Sequence, residues 1–118
     1  MRSHGGYVYI LTNASKRSLY IGVTANLQRR IVEHRYAPTP GSFVARYRLR
    51  YLVYFEVQPT IIEAIAREKQ LKSWSRKRKE RLIDWYNEDW TDLATWEGPD
   101  IAPILTYPNF ERVPDREL

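Results

Sequence analysis

The chain has 118 residues, 43% of them hydrophobic, with no cysteine and a net charge of +5. Such a length suits one domain around one core, and the missing thiols exclude disulfides, zinc–thiolate sites and cysteine nucleophiles while fitting a cytoplasmic protein. No apolar run approaches transmembrane length, and histidine only at His4 and His34 leaves little scope for a histidine-rich metal site.

The elements follow in order. Met1 to Gly6 reads as a mobile lead-in. Tyr7-Val8-Tyr9-Ile10-Leu11 is β-branched and aromatic and predicts a strand. Asn13-Ala14-Ser15-Lys16 has turn chemistry, and Leu19 to Val23 is the return strand of a hairpin. Strand side chains alternate faces. Pairing Thr12 with Arg17 would therefore set Tyr9 directly opposite Tyr20, both phenols on one face beside Gly22, which leaves room for something to approach. Asn26 then caps a helix to residue 36, with Leu27 and Ile31 as its apolar stripe and Arg30 and His34 one turn apart on its edge. Residues 37–42, with Pro38 and Pro40, form a loop. Leu49 to Val57 reads as a third strand, Thr60 caps a second helix to Ser73, and Ser75 starts a third to Asn87. These elements predict an α+β fold, a small three-stranded antiparallel sheet flanked by helices. Residues 1–93 form the domain. Residues 94–118 form an acidic, proline-containing tail that packs on it through Ile101, Ile104, Leu105, Tyr107 and Phe110.

Tyr7-Val8-Tyr9 followed by Tyr20-Ile21-Gly22, with Arg30 ten residues after Tyr20 and His34 four after that, resembles the signature of the GIY-YIG nucleases. The resemblance runs to about Leu93 and is greatest to small single-domain proteins related to the GIY-YIG nuclease module of excinuclease. Val8 stands where the family has Ile and Tyr7 where it has Gly, but Tyr9 is retained. Asn87, followed by Trp90 and Asp92-Leu93, resembles the end of such proteins, in some of which an asparagine supports the active site.

Ile61, Ala64, Ile65 and Leu71 define the apolar stripe of the second helix, and Glu68 falls in its middle, while Glu63, Arg67 and Gln70 fall on the opposite face. A carboxylate on an apolar face must be paired or bound to a metal. An ion pair with Lys72 or Arg30 would satisfy it; so would a divalent cation. The resemblance favours the second, because GIY-YIG nucleases carry one helical glutamate as sole protein ligand, and its match is Glu68.

Charge is divided unevenly: 17 Lys/Arg against 5 Asp/Glu through Arg81, and 2 against 9 from Leu82 onward. The basic body points to a polyanionic partner. Nucleic acid fits better than a membrane, since no long basic amphipathic helix with an aromatic face is present. Lys69, Lys72, Arg76, Lys77, Arg78 and Lys79 are the candidate nucleic-acid contacts, and Trp74 beside them either stacks on a base or packs. Basic residues opening the third helix oppose its macrodipole, so stability alone would not choose them, whereas a phosphate would be favoured by both the side chains and the helix N-terminus.

The resemblance implies a divalent-metal-dependent endonuclease that hydrolyses DNA in repair or processing. It implies Mg²⁺ or Mn²⁺ on Glu68, no small-molecule cofactor and no membrane. Arg30 would neutralise the phosphate, Tyr9 or Tyr20 would position or deprotonate the attacking water, and His34 would orient the water or a phosphate oxygen. A free phenol has a pKa of about 10, so the site must lower it, with Arg30, Lys72 and the metal as sources. The alternatives are a nucleic-acid-binding module without catalysis and a nuclease subunit that needs a protein partner.

Overall fold

The computed structural model describes residues 5–97, 103–106 and 113–118. Residues 1–4 of the expected Met1–Gly6 lead-in, the apolar tail residues Ile101, Tyr107 and Phe110, and the tail acids Asp100 and Glu111 lie outside them, while Gly6 belongs to the first strand. The order is β1 (Gly6–Thr12), β2 (Leu19–Thr24), α1 (Leu27–Tyr36), α2 (Phe43–Tyr47), β3 (Tyr51–Gln58), α3 (Ile61–Ser73), α4 (Arg76–Tyr86), β4 (Ala94–Thr95), β5 (Ile104–Leu105) and a 3₁₀ turn at Asp115–Glu117. The main sheet is antiparallel with strand order β2-β1-β3, and β4 pairs with β5 as a separate ribbon.

The hairpin register differs from expectation by two residues. Thr12 pairs with Leu19, Tyr9 faces Gly22, and Tyr20 faces Leu11. The cause is the loop. The Asn13 side chain accepts from the Arg17 amide and the Ser15 hydroxyl, and Lys16 adopts a left-handed φ of 61°. Residues 13–18 are thereby held outside the ladder, in place of the expected four-residue turn. A two-residue shift preserves which side chains share a face, so Tyr9 and Tyr20 remain on the same side as diagonal neighbours.

Central strand β1 is buried on both faces. Val8 and Ile10, with Ile21 and Val53, pack against Ala64 and Leu71 of α3 and Leu82 and Ile83 of α4. Tyr9 and Leu11, with Leu52 and Phe55, pack against Leu27 and Ile31 of α1 and Val44 of α2. The sheet therefore separates α1 from α3. The helix caps read from sequence are formed: Asn26, Thr60 and Ser75 accept the amides of Arg29, Glu63 and Arg78. Residues 43–47 are helical, capped by Ser42, and Leu49 lies buried in the connection, so β3 begins at Tyr51 and not at Leu49.

Two expectations for α3 fail. Ile65 is exposed at 39%, and Arg67 is drawn inward. Its guanidinium reaches Glu56 on β3 and both oxygens of Asp115 in the C-terminal turn, the latter at 2.6 and 3.0 Å. Burial works against the Arg67 charge, but Asp115 and Glu56 together outweigh it and raise its pKa. Val113 and Leu118 pack on the α3 side of the core.

Candidate active site

Four of the side chains singled out in the sequence come together on the α1 face of the sheet. Tyr9 arrives from the central strand, Tyr20 from the edge strand, and Arg30 and His34 from successive turns of α1. The Tyr9 hydroxyl lies 2.8 Å from His34 Nε2. The three rings form a triangle, with centroids 6.2 Å apart for the tyrosines and 5.7 Å from each to the imidazole. Gly22 sits under this cluster. A Cβ there would overlap the ring and hydroxyl of Tyr9 and approach the Tyr20 ring at 2.9 Å. The space left by the glycine is thus filled by Tyr9 itself and is not open to a ligand, which corrects the expectation for Gly22.

Burial sets the protonation states. It pushes the Tyr9 phenol well above its usual range, and the Arg30 guanidinium beside it opposes this without prevailing. It also lowers the pKa of His34 to about 4, with the Arg30 charge adding to the effect. Near neutral pH a protonated phenol therefore meets a neutral imidazole. In the tautomer protonated on Nδ1, the Tyr9 O–H donates to Nε2. The sequence-based expectation that the site lowers the catalytic tyrosine's pKa does not hold at Tyr9 in the free protein, because desolvation dominates.

Beside the cluster is an open recess of about 150 Å³, lined by Tyr20, Arg30, Glu33, His34, Thr39 and Ser42, with Phe43 at its rim. Tyr9 is buried, whereas Tyr20 is only half-buried and forms part of this wall. Arg30 reaches Glu33 at 3.5 Å, both side chains being 42% exposed. The Tyr9 hydroxyl holds the Arg30 pKa above its usual value. Glu33 was not singled out from the sequence. Its spacing of three from Arg30 on one helix face was the available signal.

Other expected site residues lie elsewhere. Glu68 is on α3, whose Ala64 and Leu71 pack on the other sheet face, and Lys72 Nζ sits 3.2 Å from its Oε1. The pairing expected of a structural carboxylate is therefore present. Asn87 is 1% exposed and saturated: its amide donates to the carbonyls of Val53 and Thr91, and its oxygen accepts from the Thr91 amide and hydroxyl. It supports the β3 bulge at Val53 and the turn after α4, away from the recess. The basic run divides. Arg76 donates to the Lys16 and Arg17 carbonyls and pairs with Glu80. Arg78 lies 3.9 Å above the Trp74 ring and donates to the Asp115 carbonyl. Trp74 is a packing residue, 8% exposed. Lys69 and Lys77 face solvent, and Lys79 is half-buried.

Residues 5–81, which include the whole cluster and Glu68, match the family model described as the GIY-YIG catalytic domain. The chain belongs to the GIY-YIG family. Among its relatives, a UPF0213 protein of Haloquadratum walsbyi is 38% identical over 88 residues, covering 74% of this chain and 91% of that protein. A UPF0213 protein of Natronomonas pharaonis is 40% identical over 78 residues, 65% of this chain and 88% of the relative. The solution NMR structure of a UPF0213 protein from Bacillus halodurans is 30% identical, covers 73% of this chain and 89% of that one, and superposes with a TM-score of 0.46.

The donor chemistry at Glu68 is compatible with the divalent cation that GIY-YIG nucleases use. Among the described residues no three acidic or histidine side chains gather as a ready-made cluster. Mg²⁺ keeps several of its waters and needs only one or two carboxylates. The Glu68 side chain is 14% exposed, a hard oxygen donor at the surface of α3. No helix among the described residues is long and apolar enough to cross a bilayer.

Proposed function

We propose that this GIY-YIG protein is a cytoplasmic, divalent-metal-dependent endonuclease that hydrolyses DNA phosphodiester bonds in repair or processing. The observation that carries this reading is the convergence of Tyr9, Tyr20, Arg30 and His34 around an open recess with a half-exposed guanidinium. Arg30 meets the non-bridging phosphate oxygens, leaving Glu33 as it does so. Tyr20, the accessible phenol, contacts the attacking water. Tyr9, buried and donating to Nε2, fixes the imidazole so that His34 Nδ1–H is directed as a donor. Glu68 would hold Mg²⁺ or Mn²⁺. When bound there, the metal supplies charge stabilisation to the phosphate and the leaving oxygen. Arg30 is on α1 and Glu68 on α3, helices packed on opposite faces of the sheet, so a phosphate shared by the two would be bound at the sheet edge.

The test is nicking of supercoiled plasmid with Mg²⁺ and Mn²⁺, beside Glu68→Gln. Nicking that disappears in the variant supports the enzyme. A second reading, a nucleic-acid-binding module or a subunit that needs a protein partner to cut, is favoured by one observation: Glu68 is already paired with Lys72. Tight binding without nicking on every substrate and metal would establish that reading instead.

A further inference from the structure

Between Glu33 and Glu56 the chain has no acidic residue, yet it carries Arg35, Arg46, Arg48 and Arg50. The structure displays this segment as an aromatic and basic surface. Phe43, Tyr47 and Tyr51 are 47%, 42% and 36% exposed. Arg46, Arg48 and Arg50 are exposed, and no carboxylate among the described residues lies within ion-pair distance of them. Tyr47, Arg48, Arg50 and Tyr51 line one hollow together with Asn13 and Ser15 of the β1–β2 loop. The hollow and the recess are separate openings that share no lining residue, and α2 contributes to both. Phe43 stands at the recess rim and Tyr47 one helical turn on, with ring centroids 4.6 Å apart. On α3 and α4, Lys72, Arg76 and Arg78 are engaged within the protein while Lys69 and Lys77 face solvent, and Trp74 between them in sequence is buried, whereas Tyr47, with Arg46 over it at 5.7 Å, and Tyr51 are exposed here.

We infer that the α2–β3 surface binds an unpaired nucleotide strand, with bases stacked on Tyr47 and Tyr51, phosphates on Arg48 and Arg50, and the strand leading past Phe43 into the Arg30 recess. A duplex hides the faces of its bases, so part-exposed rings, with Arg35 over Tyr51 and Arg46 over Tyr47, beside the guanidinium groups of Arg48 and Arg50 that no described carboxylate pairs, match single-stranded nucleic acid better than paired. The inference rests on nucleic acid being the substrate but not on its hydrolysis, and it names the form of the substrate.

The experiment is fluorescence anisotropy in EDTA with labelled single-stranded DNA, single-stranded RNA, the same DNA as a duplex, and a strand with an abasic tract. The proteins are the wild type, Tyr47→Leu/Tyr51→Leu and Arg48→Asn/Arg50→Gln; asparagine tolerates the left-handed φ of 54° at position 48. The wild type should bind a single strand more tightly than the duplex or the abasic strand. The tyrosine variant should lose about tenfold or more of that affinity, in line with stacking contributions, and the arginine variant should flatten the salt dependence. The DNA and RNA arms identify which strand is preferred. Equal affinity for single strand and duplex would overturn the inference. So would unchanged single-strand binding in the arginine variant, which keeps every ring and so retains the packing. Cleavage of the labelled single strand and of plasmid with Mg²⁺ or Mn²⁺ is scored separately: strand binding lost by these variants, with no cleavage of either substrate by the wild type, leaves this inference standing and removes the nuclease reading, and cleavage with unaltered strand binding does the opposite.

Discussion

Gly22 stands directly across the β1–β2 ladder from Tyr9, and the Tyr9 phenol occupies the place a Cβ would take. The glycine is what lets the phenol lie flat enough to reach His34 at 2.8 Å. Gly22→Ala must push the Tyr9 ring aside and break that bond. We expect a loss of about 1–3 kcal/mol in stability, seen as a lower urea midpoint with an unchanged slope. Unaltered stability would mean the ring can shift freely.

The two tyrosines should separate by measurement. Tyr9→Phe leaves His34 Nε2 buried without its donor, which costs about 1–3 kcal/mol. Tyr20→Phe, at the half-open wall of the recess, should leave the melting temperature nearly unchanged and lower turnover on supercoiled plasmid. Equal stability losses for both would refute this division of labour.

His34 makes stability depend on pH. Its folded pKa of about 4 lies below the ordinary value of 6.5. The unfolded chain therefore binds more protons between those values, and the contribution of neutral His34 is lost as pH falls from about 6.5 through about 4. Denaturant midpoints at pH 7.5 and 4.5 should differ more for the wild type than for His34→Asn. Identical pH dependence would place the titration elsewhere.

Arg30→Ala should lower kcat by about 100-fold or more, as loss of a charge that meets the developing transition state does, with little change in DNA affinity. The basic run should behave oppositely, in a way the structure refines. Changing Arg76, Lys77 and Arg78 together also removes contacts to Lys16, Arg17, Trp74 and Asp115. It should destabilise the fold as well as weaken binding. Lys69→Gln with Lys77→Gln tests the electrostatics alone, since both side chains face solvent. A reduced salt slope without a stability change is the expected outcome.

The acids of the tail are expected to offset the basic body and moderate DNA binding. Asp115 has a defined partner: it holds Arg67, whose side chain is only 14% exposed. Asp115→Asn should cost about 1–3 kcal/mol, less than a fully stranded buried charge because Glu56 still pairs with Arg67. It should also raise affinity for nonspecific DNA most at low salt, where screening is weakest. An unchanged affinity at low salt in the folded variant would confine Asp115 to a structural role.

Much of the site was legible because its signals are local. Period-two alternation places Tyr9 and Tyr20 on one sheet face even when the register is read two residues out, and a one-turn spacing on α1 sets Arg30 beside His34. Capping residues mark helix starts within a residue for the same reason: the bond they make spans three positions. Tertiary structure decided what depends on distant partners. Arg67 looked solvated until Asp115, 48 residues away, came to it, and Arg76 is held by the Lys16 carbonyl 60 residues back. Only packing shows that α1, which carries Arg30, and α3, which carries Glu68, lie on opposite faces of the sheet. The depth of burial that keeps the Tyr9 proton on and the His34 proton off is likewise a property of the assembled core, because desolvation is summed over every neighbour and not over the residues next in the chain.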